Sequence, residues 1–174
     1  GQGSQKTGMA DPVLNLPGAE ARFALASRLL GRDLLAICRG EPGSDDPEQH
    51  GPNDLNDTRN TQPALFVVES LIADQLRRQQ REPALVAGHS LGELVALYAA
   101  EVVDAATGLE LILLRSELMA AAGGGAMTAV IGFDRDQLQE LVAANDAVVI
   151  ANDNSTAQVV LSGTPAAVQQ VSEQ

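Results

Sequence analysis

The chain has 174 residues, 45% of them hydrophobic and 2% aromatic, with a formal net charge of −12 at pH 7. That length suits one domain, or one domain and part of a second, and the apolar share is enough to bury a core. So acidic a balance leaves no basic face to displace phosphate counterions or meet anionic lipid, which argues against nucleic-acid and membrane partners.

The start, Gly1-Gln2-Gly3-Ser4-Gln5, lacks the basic and apolar regions of a signal peptide, and residues 1–18 read as loop. Both ends are expected to be cut from a longer chain. Residues 19–38 carry apolar side chains at helical spacing, interrupted at Gly31. They end at Cys38, the single cysteine, which permits neither an intrachain disulfide nor a zinc cluster and fits a reducing, cytoplasmic setting. Residues 39–57, rich in Gly, Pro and acidic groups, read as an exposed loop containing His50. A long helix is predicted over residues 63–80, with Thr61 as N-cap and Pro63 in the first turn. Its end carries Arg77, Arg78 and Arg81. Cations there complement the helix dipole or offer a basic patch to an acidic partner.

The run Ala84-Leu85-Val86-Ala87 reads as a buried strand, residues 88–92 as a tight turn, and residues 93–100 and 105–122 as helices. The triplet Gly123-Gly124-Gly125 marks a boundary. Beyond it the pattern gives a strand over 126–132, a helix over 134–145 capped by Asp134, strands over 148–151 and 158–162, and a last helix opened by Thr164 and Pro165. That β-α-β-β-α order is a ferredoxin-like split unit short of its final strand. The fold class expected is therefore α/β: a hydrolase-like core over 1–123 and an inserted, ferredoxin-like small subdomain over 124–174, both truncated. No apolar run reaches the ~18 residues of a membrane span.

The most specific feature is Gly88-His89-Ser90-Leu91-Gly92, a G-x-S-x-G pentapeptide between a predicted strand and a predicted helix. The backbone reverses sharply there, and side chains on the glycines are expected to clash. The turn holds the Ser90 hydroxyl at a helix N-terminus, where backbone N–H groups favour a developing oxyanion. A serine nucleophile needs a base. The chain has two histidines, His50 and His89. His89 shares the turn with Ser90 and is expected to support it, and His50 is expected to be solvated, so the base is expected beyond Gln174. Glycines 1 and 3 match no phosphate-binding pattern.

Several segments in order resemble the malonyl-CoA:acyl-carrier-protein transacylases of bacterial fatty-acid synthesis and the related acyltransferase domains of polyketide synthases. They are Gly1–Gln5, Asn60-Thr61-Gln62-Pro63-Ala64-Leu65, Gly88–Glu93, Arg115-Ser116-Glu117-Leu118-Met119, Asn152-Asp153-Asn154-Ser155 and Gln158–Gly163. The resemblance implies that Ser90 takes the malonyl group from coenzyme A as an ester. It implies oxyanion roles for Gln2 and the Leu91 N–H, an Arg115 that pairs with the malonyl carboxylate, and supporting roles for His89, Asn152 and Asn154. It further implies acyl carrier protein and malonyl-CoA as partners, malonyl-CoA being a substrate, with no metal and no resident cofactor. It also implies a monomer. A guanidinium can hold a carboxylate through two parallel charge-assisted hydrogen bonds. Methylmalonyl also bears that group, so the choice between the two stays open. The rival readings are a polyketide synthase domain, an α/β-type serine hydrolase and a non-catalytic interaction fragment.

Overall fold

The computed structural model describes residues 1–41 and 53–173. It divides into two compact units, Gly1–Ala121 and Ala122–Gln174. The division falls just before the glycine triplet rather than within it.

Among the described residues the first unit is helical. After a 3-10 turn at Asp11–Val13 come α1 (Ala19–Leu30), α2 (Leu34–Arg39), α3 (Thr58–Arg78), α4 (Leu91–Ala99) and α5 (Ala105–Ala121). The apolar stretch over 19–38 is thus two helices. Gly31, at φ 72°, closes the first, and the Asp33 side chain caps the second by accepting from the Ala36 N–H at 3.0 Å. Helix α3 is the spine, packed by α1, α2, α4 and α5. Phe66, Val67 and Leu71 of α3 are fully buried with Leu91 of α4 and Leu109 and Ile112 of α5. Each such side chain contributes about 1.5–3 kcal/mol through apolar burial. Gly108 lets α5 come close: a Cβ there would stand 2.3 Å from Phe66 Cζ.

Helix α3 begins five residues earlier than its sequence suggests. Asp57, not Thr61, is the N-cap, and its carboxylate accepts from the Arg59 N–H at 2.9 Å. Thr61 lies inside the helix, and its hydroxyl donates to the carbonyls of Leu55 (2.5 Å) and Asp57 (3.0 Å). Pro63 is interior as well, where a proline forfeits one intrahelical bond. The helix ends at Arg78, and Gln80 already has φ 58°.

The run 84–87 corrects a second expectation. It forms no strand, and Leu85 and Val86 are 92% and 39% exposed. A strand exists through its ladder, and every strand among the described residues belongs to the second unit.

One polar cluster joins three helices. Arg22 of α1 donates to Ser70 Oγ (2.6 Å), Asp74 Oδ2 (2.9 Å) and the Tyr98 hydroxyl (2.9 Å). Tyr98 of α4 donates to Asp74 Oδ1 at 2.7 Å, and its ring meets Phe66 edge-on. Burial, then the bond to Asp74, raises the Tyr98 pKa. Arg77 meets Asp74 (3.4 Å) and Glu101 (3.5 Å) and donates to the Ala99 carbonyl at 3.1 Å, so it is engaged within the fold. Cys38 is fully buried, and burial, then Asp33, pushes its thiol up to about 12.

The second unit is an antiparallel sheet of β1 (Ala126–Ile131), β2 (Val148–Ser155) and β3 (Gln158–Gly163) in the order β1-β3-β2, with α6 (Arg135–Ala143) and α7 (Pro165–Ser172). Asp134 and Thr164 cap the two helices, accepting from Gln137 N–H and Ala167 N–H. Its core is Leu138, Val148, Val159, Leu161, Val168 and Val171. Strand β2 runs four residues past its expected end, through register shifts between Ile150 and Asn152 and between Asp153 and Ser155. Asn and Asp are poor strand residues, and bulges accommodate them.

Two stability outcomes follow from these contacts. Asp74→Ala, which strands the Arg22 guanidinium, should cost about 2–3 kcal/mol in urea unfolding, and Tyr98→Phe about 1. The hydrogen bond from the Arg59 side chain, foremost, holds the Asp57 carboxyl below its ordinary 3.8. A depressed carboxyl stabilises fully above its unfolded-state value and loses that contribution as pH falls through its folded-state value. Asp57→Asn keeps a capping side chain. The stability difference between wild type and this variant should hold at neutral pH and shrink steadily below about pH 4.

Candidate active site

Ser90 sits at the junction of the 82–89 segment and α4, with φ 58° and ψ −117°. Those angles match the first central position of a type II′ turn, which glycine normally fills. Gly92 N–H donates to the His89 carbonyl (3.0 Å) and Glu93 N–H to the Ser90 carbonyl (3.1 Å). Leu91, the first helical residue, has its side chain fully buried. Its N–H is among the donors a helix leaves unpaired at its start. The turn thus presents a hydroxyl beside a helix N-terminus, where negative charge is favoured.

The two glycines of the pentapeptide are not equivalent. A Cβ on Gly88 would lie 2.0 Å from the Gly92 carbonyl oxygen and 2.3 Å from the Glu93 nitrogen, both backbone atoms that cannot yield cheaply. A Cβ on Gly92 meets nothing within 4 Å. The expected clash therefore holds at Gly88 and not at Gly92.

Arg115 of α5 reaches the turn. Its NH2 donates to Ser90 Oγ at 2.8 Å and its NH1 to Gln62 Oε1 at 2.5 Å. Gln62, on α3, is fully buried. Its Nε2 donates to Thr58 Oγ1 at 2.8 Å and approaches Met119 Sδ at 3.3 Å. Thr58 Oγ1 donates to Gln2 Oε1 at 3.2 Å. Gln2, Ser90 and Arg115, far apart in sequence, therefore belong to one hydrogen-bonded string. Its two links, Thr58 and Gln62, carried no expected role. The available signal was spacing: 58, 62 and 66 share one helical face, and two polar side chains interrupt it ahead of Phe66.

His89 is exposed. His50 lies outside the described residues. Asn152 and Asn154 belong to β2 in the second unit, where Asn154 Nδ2 donates to Gln158 Oε1 at 3.3 Å. Among the described residues no group of three or more His, Cys, Asp or Glu could hold a metal ion, and no helix is long and apolar enough to cross a membrane.

A sequence model of the acyl transferase domain matches residues 1–174. The malonyl CoA-acyl carrier protein transacylase of Synechocystis sp. is 47% identical over 98% of this chain and 55% of its own length. A crystal structure of the Synechocystis malonyl-CoA:ACP transacylase superposes with a TM-score of 0.87 at 46% identity, over 98% of this chain and 55% of that one. A malonyl-transacylase solved in complex with its type II polyketide-synthase acyl-carrier protein gives 0.83 at 37% identity, over 98% and 55%. The fold is thus α/β, and the chain spans about half the length of the relatives it matches.

Substituting the two glycines of the pentapeptide should separate their roles. Gly88→Ala should abolish labelling of Ser90 by a fluorophosphonate and lower the melting temperature. Gly92→Ala, with open space for its Cβ, should change stability by no more than about 1 kcal/mol and leave labelling intact.

Proposed function

The chain belongs to the acyl transferase domain family, and from that footing we propose that the protein moves a malonyl group from coenzyme A to the phosphopantetheine thiol of an acyl carrier protein. Ser90 Oγ attacks the thioester carbonyl and gives its proton to a base, and coenzyme A leaves as the thiol. The carrier thiol then attacks the seryl ester, restoring the Ser90 hydroxyl and releasing malonyl-carrier. The base is assigned to a histidine outside residues 1–174. The Leu91 N–H is one oxyanion donor and Gln2 shapes the oxyanion side of the pocket, with Arg115 holding the malonyl carboxylate. His89, Asn152 and Asn154 support the turn and the small subdomain. The transfer needs no resident cofactor, malonyl-CoA is the substrate, and the enzyme works as a cytoplasmic monomer.

The observation that carries this reading is the Arg115 guanidinium, 2.8 Å from Ser90 Oγ and otherwise bonded to the neutral Gln62 oxygen. A plain hydrolase elbow has no use for a cation at that position, whereas a dicarboxylic acyl group does. An arginine left unpaired by acetyl would penalise the monocarboxylic analogue. Fatty-acid and polyketide carriers are both within this proposal, since a relative solved with a type II polyketide-synthase acyl-carrier protein is similar to the chain alongside transacylases named only for an acyl carrier protein. The same reading takes the first unit as the hydrolase-like core with its nucleophile elbow. It takes the second as a ferredoxin-like subdomain, supported by the β-α-β-β-α order and by β1 standing at a sheet edge.

Intact mass of the full-length protein before and after malonyl-CoA is the direct test. One malonyl adduct should form and be absent from Ser90→Ala. Arg115→Ala should lose malonyl preference over acetyl by about tenfold to a hundredfold, the worth of one charge-assisted pairing. An adduct that survives Ser90→Ala would sink the assignment.

A further inference from the structure

The thioether of Met119 touches the site from its solvent side, and we propose that it is a redox switch: hydrogen peroxide converts it to the sulfoxide, which unseats Gln62 and slows reaction at Ser90. Gln62 is fully buried, and its amide has three partners. Its oxygen accepts from Arg115 NH1 at 2.5 Å, one N–H goes to Thr58 Oγ1 at 2.8 Å, and the other meets Met119 Sδ at 3.3 Å. Thioether sulfur is a weak acceptor, so that last bond is the weakest of the three. Its sulfur side is also the accessible one. Met119 is 44% exposed and lies in the last turn of α5, one helical turn beyond Arg115. The other sulfurs are placed differently. Met9 is half-buried against the core of the first unit, and Met127, 62% exposed, lies on β1 of the second. Cys38 is fully buried with its thiol pushed up to about 12, so it stays protonated and inert.

The chemistry balances with peroxide alone. The sulfur gives a lone pair to one peroxide oxygen, the O–O bond breaks, and water leaves as the thioether becomes a sulfoxide. The oxidised sulfur is positively polarised, so it repels the Gln62 N–H it used to accept. The gap of 3.3 Å is already a direct contact and has no space for a further oxygen between the two atoms. The new oxygen therefore points away and strands the N–H, or Met119 swings outward to bring it into line. Either way the amide of a fully buried glutamine loses the partner that completes it, and a buried donor without an acceptor is costly. The oxygen of that same amide holds Arg115 NH1, while Arg115 NH2 donates to Ser90 Oγ. A cation at that distance favours the ionised form of the serine oxygen. Loosening it slows attack by Ser90 on any acyl or phosphonyl centre. It also weakens the pairing with a substrate carboxylate. That second effect rests on the acyl-transfer reading, and the first rests on the contacts alone.

Full-length protein is titrated with hydrogen peroxide, and the sulfoxide fractions at Met119 and Met127 are read by peptide mass. Ser90 modification is timed by intact mass with a fluorophosphonate and, separately, with malonyl-CoA. The fluorophosphonate rate should fall in step with Met119 sulfoxide, by about three- to tenfold at completion, the worth of one neutral hydrogen bond. The malonyl rate should fall further. Methionine sulfoxide reductases acting on both epimers should restore both rates. Met119→Leu, close in volume, should make both rates indifferent to peroxide, each measured against that variant's own starting rate. Met127→Leu should leave the sensitivity as it is in the wild type. Should Met119→Leu fold poorly, the wild-type titration and its repair still decide. Met119 staying reduced while Met127 is fully converted, an unchanged fluorophosphonate rate at full Met119 sulfoxide, or sensitivity that survives Met119→Leu would each overturn the switch. A wild-type protein that takes the fluorophosphonate but no malonyl would count against the malonyl reading alone. The response of the fluorophosphonate rate to peroxide would still decide the switch.

Discussion

The backbone of Ser90 is the constraint around which the first unit is arranged. An L-residue at φ 58° and ψ −117° is strained by roughly 1–3 kcal/mol and persists only where its surroundings leave no alternative. Three restraints converge on it. Leu91 is driven into the core on one side, the Gly92 carbonyl stands where no Cβ on Gly88 could fit, and Arg115 grips the hydroxyl itself. The strain sets the serine Oγ apart from the helix that follows it, beside that helix's unpaired donors. The turn cannot relax without unburying Leu91 or breaking the bond to Arg115.

Helix α3 carries that constraint into the fold. It is 21 residues long and has a polar device at each end. Gln62 lies near its start and points at the reactive turn, while Asp74 lies near its finish and receives Arg22 and Tyr98. The two are separated by about 18 Å along the axis at 1.5 Å per residue. Between them run Phe66, Val67 and Leu71, the fully buried apolar body of the helix. The Arg22–Asp74–Tyr98 cluster fixes where α4 ends against α3, and Gln62 and Arg115 fix how α5 meets the start of α4. Buried polar groups are costly unless fully partnered. Each cluster therefore specifies one register of helix against helix, which apolar side chains alone would leave looser.

Legibility of the fold followed the reach of each physical signal. Helices α5, α6 and α7 were readable because periodicity and cap residues act within a few positions, and Asp134 and Thr164 do cap as their sequence suggests. The start of α3 was misread because several cap-competent residues, Asn56, Asp57, Thr58, Asn60 and Thr61, lie close together. Contact with the Leu55 carbonyl, a tertiary matter, decides that Thr61 is internal. The run 84–87 has the composition of a strand, but pairing is not written in composition. Strand β2 was readable to Ala151 and no further, because Asn152-Asp153-Asn154 continues it only through bulges. At the site, Ser90 was legible from its flanking pentapeptide, and the family resemblance supplied Arg115 and Gln2. Thr58 and Gln62 were not assigned roles, since a polar side chain on a helix says nothing of its partner until the helices are packed.

What the packing adds is a sign for each hydrogen bond. A guanidinium donates and nothing else, so the amide it meets, Gln62, presents its oxygen to Arg115 and its nitrogen to Thr58. Seen that way, the positive charge at Arg115 does two things from one position. It sets NH2 against the Ser90 hydroxyl oxygen, and it sets NH1 against Gln62, whose amide nitrogen then meets Thr58. A lysine in its place would keep the charge but lose the fixed fork that reaches Ser90 and Gln62 together. The arginine of α5, the Ser90 hydroxyl and the buried glutamine of α3 are, in this fold, one connected object.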